Sequence, residues 1–124
     1  MFILTKGQEM KTIDIIKEDM LYEMANLSSR WTGIDNVIIW VGMNLEQHAL
    51  RVKVSNIPNN WSTDNFTIKL ADLSVVGKIN TSFITNNIMH NIKHWISLNM
   101  KALVDYENGV IVDTGDFLDL LKPI

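Results

Sequence analysis

Apolar and polar residues alternate through the stretch HALRVKVS, which occupies positions 48–55. The apolar positions are Leu50, Val52 and Val54, and the polar ones include Arg51 and Lys53. Successive side chains of a β-strand point to opposite faces of the sheet. The alternation therefore predicts a strand with an apolar inner face and a cationic outer face.

Three other stretches are typical of strands. Residues 36–43 are rich in β-branched and aromatic side chains, and residues 44–47 are enough for a hairpin that joins them to the strand described above. Residues 66–70 alternate in the same way. Residues 73–79 predict a fourth strand, with Gly77 as a bulge or a close approach of the backbone.

Helical spacing of apolar residues predicts a leading helix and a long later helix. The leading helix begins at Thr12, whose hydroxyl is a suitable N-cap, and ends near Ser28. Its apolar stripe consists of Ile13, Ile16, Met20, Met24 and Leu27. The long helix begins near residue 82 or 85 and continues to Asn108, where Gly109 ends it.

A short final helix completes the predicted fold. Thr114 is its expected N-cap, and Pro123 stops it. The sequence thus predicts a single α+β domain over residues 1–124. An antiparallel sheet of about four strands is packed by the N-terminal helix, the long C-terminal helix and the short final helix. Met10 can also serve as a translation start, in which case residues 1–9 are a loosely attached extension.

Composition narrows the functional classes. The 124-residue chain has no cysteine, which excludes a disulfide framework, a thiolate nucleophile and a cysteine-ligated metal. No apolar run approaches the roughly 18 residues of a membrane span, and the first residues lack the pattern of a signal peptide. We therefore expect a cytoplasmic protein without membrane contact.

Charge is distributed unevenly along the chain, whose net charge is −3. Residues 30–101 carry seven basic and four acidic side chains. Residues 1–29 carry three basic and five acidic side chains, and residues 102–124 carry one basic and five acidic. A basic middle between acidic ends is compatible with a partner surface, but the excess is too small to indicate nucleic acid by itself.

Two histidines stand at positions i and i+4 in the segment HNIKH. His90 and His94 therefore lie on one face of the long helix. This is half of a zinc-protease pattern, but Asn91 stands where that pattern needs a general base. With His48 as a third imidazole, the histidines give one alternative function, a small hydrolase or metal-binding protein. The sequence assigns neither a catalytic residue nor a cofactor.

The cationic side chains of the sheet give a second alternative, nucleic-acid binding. Arg51, Lys53 and Lys69 are predicted to line one face, where they can hold phosphates while a nearby tryptophan stacks on bases. Long cationic side chains are also common on the exposed face of ordinary strands, where they discourage aggregation. Both interpretations are open at this point.

The four tryptophans fall into two pairs. Trp40 and Trp95 lie on apolar stripes and are assigned to the core. Trp31 and Trp61 lie in polar loops, where we expect their rings to pack back onto the body of the domain. A loop tryptophan that is exposed instead would mark an interface, because aromatic side chains contribute strongly to protein contacts.

The leading helix is a second candidate contact surface, since its apolar face is wide enough to pack on the sheet and on a second copy of the chain. We therefore favour a non-enzymatic interaction protein that acts through protein contacts, as a homodimer or with an unidentified protein partner. The contact residues predicted for this role are Trp31, Trp61, Met20 and Leu21.

Six stretches of the chain carry a resemblance to known proteins: MANLSSRWTGI, VIIWVG, QHALRVKVS, VVGKI, WISLN and GVIVDTGDFLDLLKPI. Together they resemble a small bacterial family of uncharacterised proteins. More loosely, they are similar to a widespread domain of unknown function often encoded beside antitoxins. The likeness extends from about Met10. DYENG departs from it, because Tyr106 and Glu107 stand where a tryptophan is common. The resemblance implies a prophage, mobile-element or toxin–antitoxin context, but no mechanism.

Overall fold

The computed structural model of the chain describes residues 24–44 and 49–124. In chain order its elements are β1 (Met24–Leu27), α1 (Ser29–Thr32), β2 (Ile39–Gly42), β3 (Arg51–Ser55), β4 (Asn65–Lys69), β5 (Val75–Val76), α2 (Asn86–Leu98), α3 (Met100–Glu107) and α4 (Thr114–Leu120). The described part is an α+β domain with an antiparallel sheet, as the sequence predicts.

The strands form an antiparallel sheet in which each one pairs with its neighbours in the chain. In the described residues the sheet has five strands, in the order β1-β2-β3-β4-β5. Trp40 lies opposite Lys53, Lys53 lies opposite Thr67, and Arg51 lies opposite Lys69. The sequence predicted about four strands, and β1 is the one it missed.

One face of the sheet forms the core. Its side chains are fully or almost fully buried: Leu27, Ile39, Val41, Val52, Val54, Phe66 and Ile68. Buried residues of the helices belong to the same cluster: Ile92, Trp95, Ile96, Leu103, Tyr106 and Phe117. The inner face predicted for the stretch that forms β3 is therefore confirmed, because Val52 and Val54 are both inaccessible to solvent.

The predicted leading helix does not extend to Ser28. Met24 and Leu27, assigned to its apolar stripe, belong instead to β1, where Leu27 pairs with Ile39 of β2. Pairing and burial in the core outweigh the weak helical preference of a four-residue segment. The remainder of that helix, the 1–9 extension and positions 45–47 of the hairpin lie outside the described residues. The last strand is also shorter than predicted, because β5 ends before Gly77, whose φ is +105°.

The predicted long helix is two helices, α2 and α3, that meet at Asn99. The Asn99 backbone, with φ −108° and ψ 17°, departs from helical geometry. Its side-chain amide donates hydrogen bonds to the carbonyl oxygens of Trp95 and Lys122, and its side-chain oxygen accepts one from the Lys122 N–H. These bonds tie the joint to the end of the chain. The helix terminus predicted at Gly109 is confirmed, since α3 ends at Glu107 and Gly109 has a φ of +77°.

The N-cap of the final helix is Asp113 rather than the predicted Thr114. The Asp113 carboxylate accepts a hydrogen bond from the Asp116 N–H at 3.0 Å. Thr114 begins the helix, and its hydroxyl is 2.9 Å from the Tyr106 hydroxyl. Phe117 is fully buried and stacks on the Tyr106 ring, with 4.0 Å between the ring centroids. The final helix thereby packs against the end of α3.

Candidate functional site

The three cationic residues predicted to line one face of the sheet do so. Arg51 and Lys53 alternate with the buried Val52 and Val54 on β3, and Lys69 lies directly opposite Arg51 on β4. These are the only charged residues in the five described strands, which contain no carboxylate. The outer face of the sheet is therefore cationic although the net charge of the chain is −3.

The three cations are neighbours on the outer face, and carboxyl groups lie near two of them: Glu107 near Arg51 and Asp72 near Lys69. Like charges directly opposite on neighbouring strands are destabilising, and Arg51 and Lys69 form such a pair. None of the three cations forms an ion pair with another residue of the described chain. An anion bound between them would relieve this repulsion.

Trp40 belongs to this outer face, and its assignment to the core was wrong. Ile39 and Val41 on either side of it are fully buried, so the side chain of Trp40 points to the opposite face, where it is half-buried. The Lys53 ammonium nitrogen lies 5.4 Å from the centroid of the Trp40 ring, which is within the range of a cation–π contact. The outer face thus combines an aromatic ring with the cations.

A carboxylate lies at one end of the outer face, in the turn between β4 and β5. Hydrogen bonds from Ser74 lower the pKa of Asp72, and the positive charge of Lys69 lowers it further. Asp72 is exposed, and the Ser74 N–H donates to its side chain at 3.0 Å. Asp72 therefore stays ionised beside the turn and marks an edge of the cationic surface.

Glu107 lies below the sheet, at the end of α3. It is 3% exposed, and its Oε1 accepts a hydrogen bond from the Arg51 N–H at 2.9 Å. Its other oxygen, Oε2, is buried without a hydrogen-bond partner among the residues described. Burial raises the pKa of Glu107 to about 7, although the Arg51 N–H and the charge of Arg51 act in the opposite direction. The site therefore contains a carboxyl group that titrates near neutral pH.

Two of the four residues predicted for protein contacts, Trp31 and Trp61, lie in the described part of the chain. Trp61, in the loop after β3, is 37% exposed and does not pack back as expected. Trp31 is in the one-turn helix α1 rather than in a loop; it is half-buried against the core, and its carbonyl accepts a hydrogen bond from the indole N–H of Trp95. Trp95 is fully buried, as predicted. Met20 and Leu21 lie outside the described residues.

His90 and His94, the two histidines in the described residues, do not belong to a group that could hold a metal ion. His90 and His94 are exposed on α2, as their spacing predicts, and His48 lies outside the described residues. In the described ranges, no three His, Asp or Glu side chains are grouped so that they could hold a metal ion. Metal binding through the histidines stays a prediction without a supporting geometry.

Sequence reasoning did not place Trp40 and Gly42 on the outer face of the sheet. Both occupy outward positions of β2, next to the cations. The signal available in the sequence was the alternation of faces along a strand, which places Trp40 on the face opposite to Ile39 and Val41. An apolar residue on every position from Val37 to Val41 hides that signal.

No described helix is long and apolar enough to cross a membrane. Comparisons with protein-family models, with curated proteins and with solved structures found no match to this chain. The outer face of the sheet must therefore be interpreted from its own chemistry.

Proposed function

We propose that this protein binds nucleic acid through the outer face of its sheet. The observation that carries the proposal is the composition of that face: the described strands hold Arg51, Lys53 and Lys69 and no carboxylate. Contacts between such side chains and phosphates supply much of the affinity of proteins for nucleic acids. The proposal takes precedence over the protein-contact role because its three cations share one face of the sheet, whereas two of the four predicted contact residues, Met20 and Leu21, lie outside the described residues.

The aromatic ring on the same face favours nucleic acid over other polyanions. The Lys53 ammonium lies 5.4 Å from the centroid of the Trp40 ring, so one of the three cations is directly beside the aromatic group. Proteins that bind single strands without sequence preference combine a cationic groove with aromatic side chains that stack on bases. A polyanion without bases has no group that could stack on the ring.

The number of cations limits the strength of binding. Three phosphate contacts predict a slope of about −2 when the logarithm of the association constant is plotted against the logarithm of the salt concentration. This slope is small, as expected for a surface on a chain whose net charge is −3. We therefore expect modest affinity that is strongest at low ionic strength.

Fluorescence anisotropy with a labelled oligonucleotide at several salt concentrations tests the proposal. The variant R51Q/K53Q/K69Q should lose at least about tenfold in affinity at low salt, together with most of the salt dependence, because its phosphate contacts are gone. The control K93Q/K101Q/K122Q removes the same charge from the helices α2 and α3 and from the chain beyond α4. Equal losses in the two variants, or no binding by the native protein, would contradict the proposal.

A further inference from the structure

The six-membered ring of Trp40 lies against Gly42. A Cβ atom placed on Gly42 would be 2.6 Å from Cη2 and 2.7 Å from Cζ2 of Trp40, closer than any side chain could fit. Gly42 does not have a positive φ, so its backbone does not itself require glycine. Glycine at position 42 therefore leaves the space that the Trp40 ring occupies.

The ring points along β2 toward Gly42, beside the strand that carries two of the cations. Trp40 is opposite Lys53 of β3, and Arg51 lies two residues before Lys53 on the same face, directly opposite Lys69 of β4. Beyond Lys53 the pairing of β3 with β2 ends, and the Arg51 N–H donates instead to the Glu107 carboxylate. The ring is thus one strand away from Arg51 and Lys53 and two strands away from Lys69.

We propose that the Trp40 ring, seated on Gly42, is a stacking site for one unpaired nucleobase, with the flanking phosphates held by Arg51, Lys53 and Lys69. The inference rests on the proposed nucleic-acid binding and names its substrate class, a single strand. The six-membered ring of Trp40 lies against Gly42, and the Lys53 ammonium lies over the indole, 5.4 Å from the ring centroid. The Trp40 side chain is half-buried, so part of it is accessible to a ligand.

Lys53 does not block this site. Trp40 and Lys53 are both half-buried, and a cation–π contact in such a position contributes only about 1 kcal/mol, while the lysine stem is flexible. A base that stacks on the ring displaces the ammonium, which is then free to bind a phosphate of the same strand. The contact in the free protein thus keeps a phosphate-binding group beside the aromatic surface.

A paired base cannot use the site without leaving its duplex. Bases in a duplex are already stacked on both sides, and extruding one requires unpairing and unstacking it. Phosphate contacts, in contrast, are available in single and double strands alike. The Trp40 ring should therefore give the outer face a preference for unpaired strands. This preference should depend on Trp40 and Gly42, whereas the salt dependence of the affinity should depend on the cations alone.

The decisive experiment compares a thymidine oligomer about 12 nucleotides long, within the site size of small single-strand-binding folds, with an abasic oligomer of equal length and charge. The native protein should bind the thymidine oligomer about tenfold more tightly. Trp40→Ala should bind the two oligomers equally, with an unchanged salt slope. Leu120→Ala, which removes an exposed apolar side chain from α4, should keep the native difference.

Gly42→Ala supplies a second variant in which the ring is present but displaced. It should reduce the preference for the thymidine oligomer as Trp40→Ala does, and circular dichroism should verify that both variants are folded. If the native protein binds both oligomers equally, or if Trp40→Ala keeps the full difference, the stacking site is refuted while nucleic-acid binding stands. If neither oligomer binds, both proposals fall.

Discussion

Glu107 combines near-complete burial with an incomplete set of hydrogen bonds. It is 3% exposed, and in the described chain only one of its carboxylate oxygens has a hydrogen-bond partner, the Arg51 N–H. An ionised carboxyl group in such surroundings is poorly solvated, and for this reason burial raises its pKa from 4.5 to about 7. The protonation state of Glu107 should therefore influence the stability of the fold.

The free energy of unfolding should decrease as the pH rises through about 7. The folded chain holds the Glu107 proton more tightly than the unfolded chain, so the stabilisation is complete below the unfolded pKa of 4.5 and is lost above the folded pKa. Glu107→Gln should remove this dependence and stabilise the protein at pH 8 by up to about 3 kcal/mol. Urea unfolding at several pH values measures both effects.

Asp119→Asn is the control for this prediction, because it removes one carboxylate from an exposed position of α4. It should leave the native pH dependence in place. Parallel pH profiles for the native protein and Glu107→Gln would show that Glu107 does not titrate as its burial requires.

Individual residues differ in how far the sequence alone predicts their positions. Arg51 and Lys53 alternate with valines, so their shared face could be read directly, and Lys69 follows the same rule on β4. Trp40 could not be placed in this way, because every residue around it is apolar. Its orientation depends on the pairing of β2 with β3, which a local pattern does not contain.

At the scale of elements, the joint between α2 and α3 depends on one buried amide. Asn99 is 4% exposed, and its side chain makes two hydrogen bonds with the backbone of Lys122 and one with Trp95. The apolar stripe continues across the joint through Leu98, Ala102 and Leu103, so the sequence predicts an unbroken helix. The break requires a partner 23 residues away, which helical periodicity cannot reveal.

Asn99→Ala should destabilise the protein by about 2 kcal/mol, because it removes these bonds and leaves backbone groups of Lys122 without partners. Asn87→Ala, at an exposed position of α2, should change the free energy of unfolding by less than about 0.5 kcal/mol. Chemical denaturation of both variants measures the difference. Equal effects would mean that the joint is held by packing rather than by the amide.

At the scale of the whole molecule, the α+β class was predictable, and so was the packing of the described helices α2, α3 and α4 against the apolar face of the sheet, since strand and helix periods are distinct over most of the chain. Assembly was not. The homodimer stays a prediction, and Trp61 is the predicted contact residue that the described structure leaves exposed.

Light scattering tests self-association. We expect a mass near twice 14.2 kDa at high concentration. If Trp61 anchors the contact, Trp61→Ser should weaken the dimer at least about tenfold, as for a central aromatic residue of an interface. Val110→Ser changes an exposed apolar residue elsewhere and should not weaken it. A single-chain mass at every concentration would exclude the dimer.

The sequential order of the strands has a consequence for how the chain reaches this structure. Each of the five described strands pairs only with its neighbours in the chain, so no strand has to be inserted between two that have already met. The conformational entropy lost before each new pairing is that of one connection, and this loss increases only slowly with its length. The kinetic barrier to forming the sheet is therefore set by closure of local loops. Docking of the helices on its apolar face should be the slower step of folding, because it brings together residues that are farther apart in the chain.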